Sequence, residues 1–240
     1  MSRDGFTSTV GLFSLADATE WVDSLGSEFL IEQLYFKPYC SCRWAQPAIC
    51  AALRLVREKS INVDAIDSIR VETFAEACAL SRKRPATSEE AQYNLPYPVA
   101  AALIKGDYGP SEILESNLDA PDISALAQRI ECVAREEFQL QFPARRVAEV
   151  FITSGGVSFR SGAVSVHGDP DEPMSEGEIE GKFLRYSSHS LSSAEAGECI
   201  NRIRNLEREP NLNWLIDLLS RPASFDRRAY QTVGNAPAAL

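Results

Sequence analysis

The chain has 240 residues, 45% of them hydrophobic, which is enough for one large core or two small ones. Its formal net charge is −10, with no basic run longer than a few residues, so the composition argues against a nucleic-acid partner. No apolar run reaches the length of a membrane span, and Met1 to Val10 lacks the charged and apolar regions of a signal peptide.

The predicted elements fall into four stretches: a flexible N-terminus over 1–10, an α+β domain over 11–174, helices over 175–220 and a flexible tail over 221–240. Phe29 to Phe36 reads as a strand. Pro47 to Glu58 reads as a helix with Ala48, Ala52 and Leu55 on one face, Ile49 and Val56 beside it, and Trp44 packing from just before it. Ile66 to Phe74 reads as a strand with Ile69, Val71 and Thr73 on one face. Pro98 to Lys105 is a buried helix ended by Gly106, and two short helices follow at Ser111–Leu118 and Ile123–Ile130. Val147–Ile152 and Val157–Val166 form a hairpin around Ser154-Gly155-Gly156. From Ser175 onward the pattern is helical, with capping-box spacing at Ser175/Glu178 and Ser192/Glu195. The class is α+β: a small mixed or antiparallel sheet with helices packed on it, followed by C-terminal helices.

The densest polar and aromatic cluster, Lys37-Pro38-Tyr39-Cys40-Ser41-Cys42-Arg43-Trp44-Ala45-Gln46-Pro47, links the first strand to the first helix. Loops on a rigid scaffold are where binding groups concentrate. Pro47 suits a first helical turn and puts Gln46 at or beside the N-cap, where unbonded N–H groups favour an anion. Lys37 and Arg43 add positive charge. Tyr97, just before Pro98, repeats the arrangement with a phenol able to donate a hydrogen bond or a proton. Against this stand plainer readings: surface charges at Lys37 and Arg43, a core aromatic at Tyr97, and a simple cap at Gln46.

Six cysteines show no regular framework, which points to reduced thiols in an intracellular, cytoplasmic protein. Cys40, Cys42 and Cys50 lack zinc-knuckle spacing, and the two histidines, His167 and His189, lie far along the chain, so no metal is expected. His167-Gly168-Asp169-Pro170 reads as a turn, with His167 as a turn residue.

Three ordered segments resemble the MmgE/PrpD family. Lys37-Pro38-Tyr39 with Cys42-Arg43-Trp44 and Pro47-Ala48-Ile49 is similar to its lid-domain signature. Glu90 through Leu103 is similar to its second segment, and His167-Gly168-Asp169-Pro170 through Pro173, with Lys182-Phe183, to its third. The family includes 2-methylcitrate dehydratases, cis-aconitate decarboxylases and epimerases of dicarboxylates. The resemblance implies an enzyme without cofactor, a lid closing over a large helical domain, a dimer, and a small carboxylate-bearing substrate. It puts Lys37, Cys42 and Tyr97 on lid residues that face substrate, with Arg43 and Gln46 beside them. Two departures stand out: the family often has histidine at Gln46 and proline at Cys40. Glutamine cannot relay a proton as histidine does. No helical domain is encoded here, so the expected partner is a separate helical-domain chain, or another copy of this one. Two other readings remain open, a catalytically inactive binding or regulatory module and a stand-alone isomerase or cyclase using Lys37 and Tyr97.

Overall fold

A computed structural model describes residues 23, 25–81 and 84–221. The expected flexible N-terminus over 1–10 lies outside these residues, as does the expected tail beyond Arg221.

The first helix, α1 (Gln46–Lys59), starts with Pro47 in its first turn and buries Ala48, Ile49, Ala51, Ala52 and Leu55. The alanines let the helix lie close to the sheet beneath it. It stops at Ser60, whose left-handed backbone (φ 51°) turns its N–H back to the carbonyls of Arg57 and Val56. Strand β1 (Ile66–Thr73) buries Ile69, Val71 and Thr73, as the alternation predicts. Short helices α2 (Ala75–Cys78) and α3 (Ser88–Gln92) lead to α4 (Pro96–Lys105), which starts two residues earlier than predicted. From Pro96 to Leu103 every residue of α4 is buried, and Gly106 (φ 80°) ends it. Helix α5 (Pro121–Gln128) and strand β2 (Ile130–Ala134) follow, then α6 (Glu136–Gln139).

The antiparallel partner of β1 is β3 (Val147–Ser154). The chain then reverses at Gly155-Gly156, both with positive φ, into β4 (Val157–Arg160) and β5 (Val164–Ser165). The predicted second arm is thus two strands: β4 pairs with the end of β3 and β5 with its start. The sheet order is β2-β1-β3-β4, with β1–β2 parallel and the other pairs antiparallel. A parallel pair needs a crossover, and the α2–α5 stretch supplies it. The chain therefore adopts the α+β class with a mixed open sheet.

One sheet face carries Ile69, Val71, Val150 and Ile152 into the core under α1 and α4. On the other face Glu72 lies directly opposite Glu149. Like charges in that position repel; Arg135 answers both, at 3.3 and 2.8 Å, and Arg160 donates to Glu149 at 2.8 Å.

Three helices close the described chain: α7 (Glu176–Ser187), α8 (Ser193–Arg204) and α9 (Asn213–Ser220). Both predicted capping boxes form, at Ser175/Glu178 and Ser192/Glu195. Among the described residues no helix is long and apolar enough to cross a membrane.

Three expectations need correction. Phe29 to Phe36 is not a strand: Leu30–Gln33 is a 3-10 turn, the apolar side chains around it are exposed, and the segment pairs with neither edge of the sheet. Ser111–Leu118 is mostly turn, with only Glu115–Asn117 as a 3-10 helix. The helix expected to run to Ile130 ends at Gln128, because Ile130 pairs with Ile69 as the first residue of a strand.

Candidate functional site

Each of the three sequence segments meets another of them. The Cys42 N–H donates to the Gln92 carbonyl at 2.7 Å, joining the first segment to the second. The Phe36 N–H donates to the Gly168 carbonyl at 2.9 Å, and the Arg43 guanidinium forms an ion pair with Asp169, joining the first to the third. Gly168 (φ 121°) permits this approach, since a β-carbon there would collide with the Phe36 carbonyl oxygen.

Helix α7 holds the same loop from another side. Lys182 Nζ donates to the Lys37 carbonyl at 2.7 Å, and the Tyr186 hydroxyl donates to the Pro38 carbonyl at 3.2 Å. Arg185 pairs with Asp107 at 3.1 Å. Burial pushes the Asp107 carboxyl up, with Arg185 pulling it back, and burial draws the Lys182 ammonium down.

Gln46 is buried, and its amide is fully occupied by the loop. Its Oε1 accepts from the Tyr39 N–H at 3.0 Å; its Nε2 donates to the carbonyls of Tyr39 and Ser41 at 3.1 and 3.0 Å. Gln46 stands beside the N-cap, which is Ala45, as expected, and its side chain is not a proton relay but a clamp that shapes residues 39–41.

Between this loop and the strand β5 region lies a polar cleft of about 200 Å³, lined by Lys37, Arg43, Gln46, Arg146, His167 and Asp169 among others. Arg43 also stacks over the Tyr35 ring, 3.8 Å from its centroid. Burial, then the neighbouring Arg146 guanidinium, lowers the Arg43 pKa. His167 Nε2 lies 2.7 Å from Glu178 Oε1, which joins this turn residue to the start of α7.

Of the sequence-predicted residues, Lys37, Arg43 and Gln46 line the cleft; Cys42 and Tyr97 do not. Tyr97 is fully buried, its hydroxyl donating to the Glu112 carbonyl at 3.0 Å, and burial raises its pKa strongly. Its ring packs edge-on against Tyr108, whose carbonyl accepts the Cys40 N–H at 2.9 Å. Tyr97 thus supports the loop from behind. Burial also pushes the Cys40 and Cys50 thiols up, which suits structural thiols rather than nucleophiles. No group of three or more His, Cys, Asp or Glu side chains among the described residues is arranged to hold a metal ion. Arg146 was not singled out from sequence, and Asp169 and Lys182 were marked only as parts of the third segment, without a role; each reaches the cleft or its loop from more than 100 residues beyond Lys37.

Residues 39–208 match the MmgE/PrpD C-terminal domain. That match takes in most of the loop and both segments that hold it, and the chain belongs to the MmgE/PrpD family through this domain. It is also similar to human (Homo sapiens) cis-aconitate decarboxylase, 23% identical in an alignment of 198 residues that covers 78% of this chain and 39% of that protein. The chain therefore spans about two fifths of the length of the curated relative it matches.

Proposed function

We propose that this chain is the lid half of a lyase or isomerase of the MmgE/PrpD type. It acts on a small di- or tricarboxylate, and the opposite wall of the active site comes from a helical domain on another chain. The reaction class is removal of a proton α to a carboxylate, followed by loss of water or carbon dioxide, or by reprotonation. Lys37 holds a substrate carboxylate, with Arg43 beside it. Tyr97 orients the loop through Tyr108, Cys42 anchors it through its N–H, and Gln46 sets its shape. The base belongs to the partner. No cofactor enters this scheme.

One observation carries the reading. The polar cleft lies beside an apolar run with no cover among the described residues: Leu30, Ile31 and Leu34 are 69, 73 and 61% exposed. Leu212, Ile216 and Leu219 on the closing helices are similarly bare. Exposed apolar surface of this kind marks an interface, and a lid needs a body to close on.

The test is to measure turnover of cis-aconitate and of a panel of di- and tricarboxylates, with the chain alone and mixed with a polypeptide carrying the family's helical domain. Turnover only in the mixture, with a stable complex in sedimentation, is the expected result. A monomer that turns over substrate unaided, or a mixture that neither associates nor reacts, overturns it.

The complete use of the Gln46 amide on backbone favours a second reading, a binding or regulatory module that has lost catalysis and covers its apolar surface by self-association. A concentration-dependent homo-oligomer that binds carboxylates but never turns them over is its signature.

A further inference from the structure

Lys37, Arg43, Arg145 and Arg146 are the basic side chains that line the cleft, and their surroundings differ. Arg43 is committed to Asp169 and to the Tyr35 ring. Arg145 is exposed and donates to the Ser165 hydroxyl at 3.2 Å. Arg146 is half-buried, and its Nε is sealed from solvent with no hydrogen-bond acceptor among the described residues. A buried donor left unmatched costs stability, more so on a charged group. Arg146 also stands close enough to Arg43 for the two guanidiniums to repel each other. Two cations side by side, one of them unanswered, are an arrangement that an anion between them relieves. The acidic groups present leave Arg146 unanswered: Asp169 is spent on Arg43, and Asp171 also acts on Arg43, while Asp171 and Glu172 are both exposed, where solvent screens them.

We propose that Arg146 is the primary anion anchor of the cleft, taking one carboxylate of a ligand that carries at least two, with Lys37 taking another. A planar guanidinium suits a carboxylate because it can donate two parallel N–H bonds. The inference rests on the carboxylate reading given above, and adds the residue that carries the affinity.

The test is calorimetric titration of the full chain at low salt with succinate, citrate, acetate and inorganic phosphate, for the wild type, Arg146→Gln and Arg146→Lys. Succinate and citrate should bind at least about tenfold tighter than acetate, and Arg146→Gln should lose about tenfold or more of that affinity. The thermal midpoint of Arg146→Gln without ligand should equal or exceed the wild-type value, because an unmatched cation has been removed; a purely structural arginine would lower it. If the midpoint falls, Arg146→Lys decides, since it keeps the charge and loses the fork: weakened succinate binding supports the anchor, and unchanged binding overturns it. Equal affinity of Arg146→Gln and wild type for succinate overturns the Arg146 assignment and leaves the carboxylate reading standing. Phosphate binding as tightly as succinate overturns the carboxylate class. No binding of any carboxylate to the wild type overturns the Arg146 anchor, while the carboxylate reading is then decided by turnover in the mixture with the helical domain.

Discussion

The ammonium of Lys182 donates to the backbone carbonyl of Lys37 at 2.7 Å, so one lysine fixes the main chain from which the other reaches the cleft. Burial lowers the Lys182 pKa, a sign that this head group sits in a partly dry place. The contact ties α7 to the loop, alongside Tyr186 to Pro38 and Arg185 to Asp107. Lys182→Met should remove one charge-assisted bond at a part-exposed site, costing about 1 kcal/mol of stability after allowance for solvent. Urea unfolding reads that cost. A second readout is faster hydrogen exchange at the Cys40 amide, and no change in it would mean that α7 does not brace the loop.

Gln46 offers a sharper contrast. Its amide answers one buried N–H and two carbonyls of residues 39 and 41. Gln46→Ala strands those groups and should cost about 2–4 kcal/mol. Gln46→His is the more informative substitution. A neutral imidazole offers one donor and one acceptor where the amide uses two donations and one acceptance, so it cannot satisfy all three groups. The histidine variant should therefore be less stable than the wild type and gain no activity. A histidine variant of undiminished stability would show that the loop re-forms around a different side chain.

The close pass of Gly168 and Phe36 predicts a third result. Gly168 has φ 121°, a backbone region that side chains avoid, and any β-carbon would meet the Phe36 carbonyl. Gly168→Ala should cost about 1–3 kcal/mol or more from strain alone. It should also loosen the Arg43–Asp169 pair, because the turn that presents Asp169 has to move. The thermal midpoint measures the first effect, and succinate affinity measured by titration the second. A Gly168→Ala chain with both unchanged would mean that the turn yields freely.

What was legible in the sequence follows from how local each signal is. Helices α1 and α4 announce themselves through apolar spacing and a proline at the start, and α4 also through Gly106 at its end. The capping boxes of α7 and α8 are complete within four residues. Strand β2 was hidden because Ile130 continues the apolar spacing of Ile123 and Ala127; only its pairing with Ile69, 61 positions earlier, makes it a strand. Phe29 to Phe36 has the composition of a strand, but what an apolar run becomes depends on what it packs against. At the site, Lys37, Arg43 and Gln46 were found because they share one loop. Arg146 was not, and Asp169 and Lys182 were visible only as members of the third segment, because tertiary folding alone brings them to the first loop. Tyr97 was legible as an aromatic with a partnered hydroxyl, and its distance from the cleft was not.

The caps of α7 and α8 predict how the chain responds to acid. The Glu195 carboxylate accepts from the Ser192 N–H and hydroxyl at 2.9 and 2.7 Å, and these bonds, joined by Arg221, bring its pKa down to about 2. Glu178 is lowered in the same direction, first by the Ser175 hydroxyl and further by the Ser175 N–H and His167. A carboxyl whose folded pKa lies below its unfolded value binds protons more readily when unfolded. Its contribution is therefore fully present above the unfolded value, about 4.3 for glutamate, and is lost as pH falls through the folded one. For Glu195 that window runs from about pH 4.5 down to about 2. Helical signal in far-ultraviolet circular dichroism should fall across it, beginning with fraying at the starts of α7 and α8. Ser192→Ala removes the hydroxyl that favours the ionised form, so the α8 portion of the loss should shift to higher pH and shrink, while the α7 portion stays where it was. A titration that is the same for the wild type and Ser192→Ala would mean that the boxes do not set the acid response of these helices.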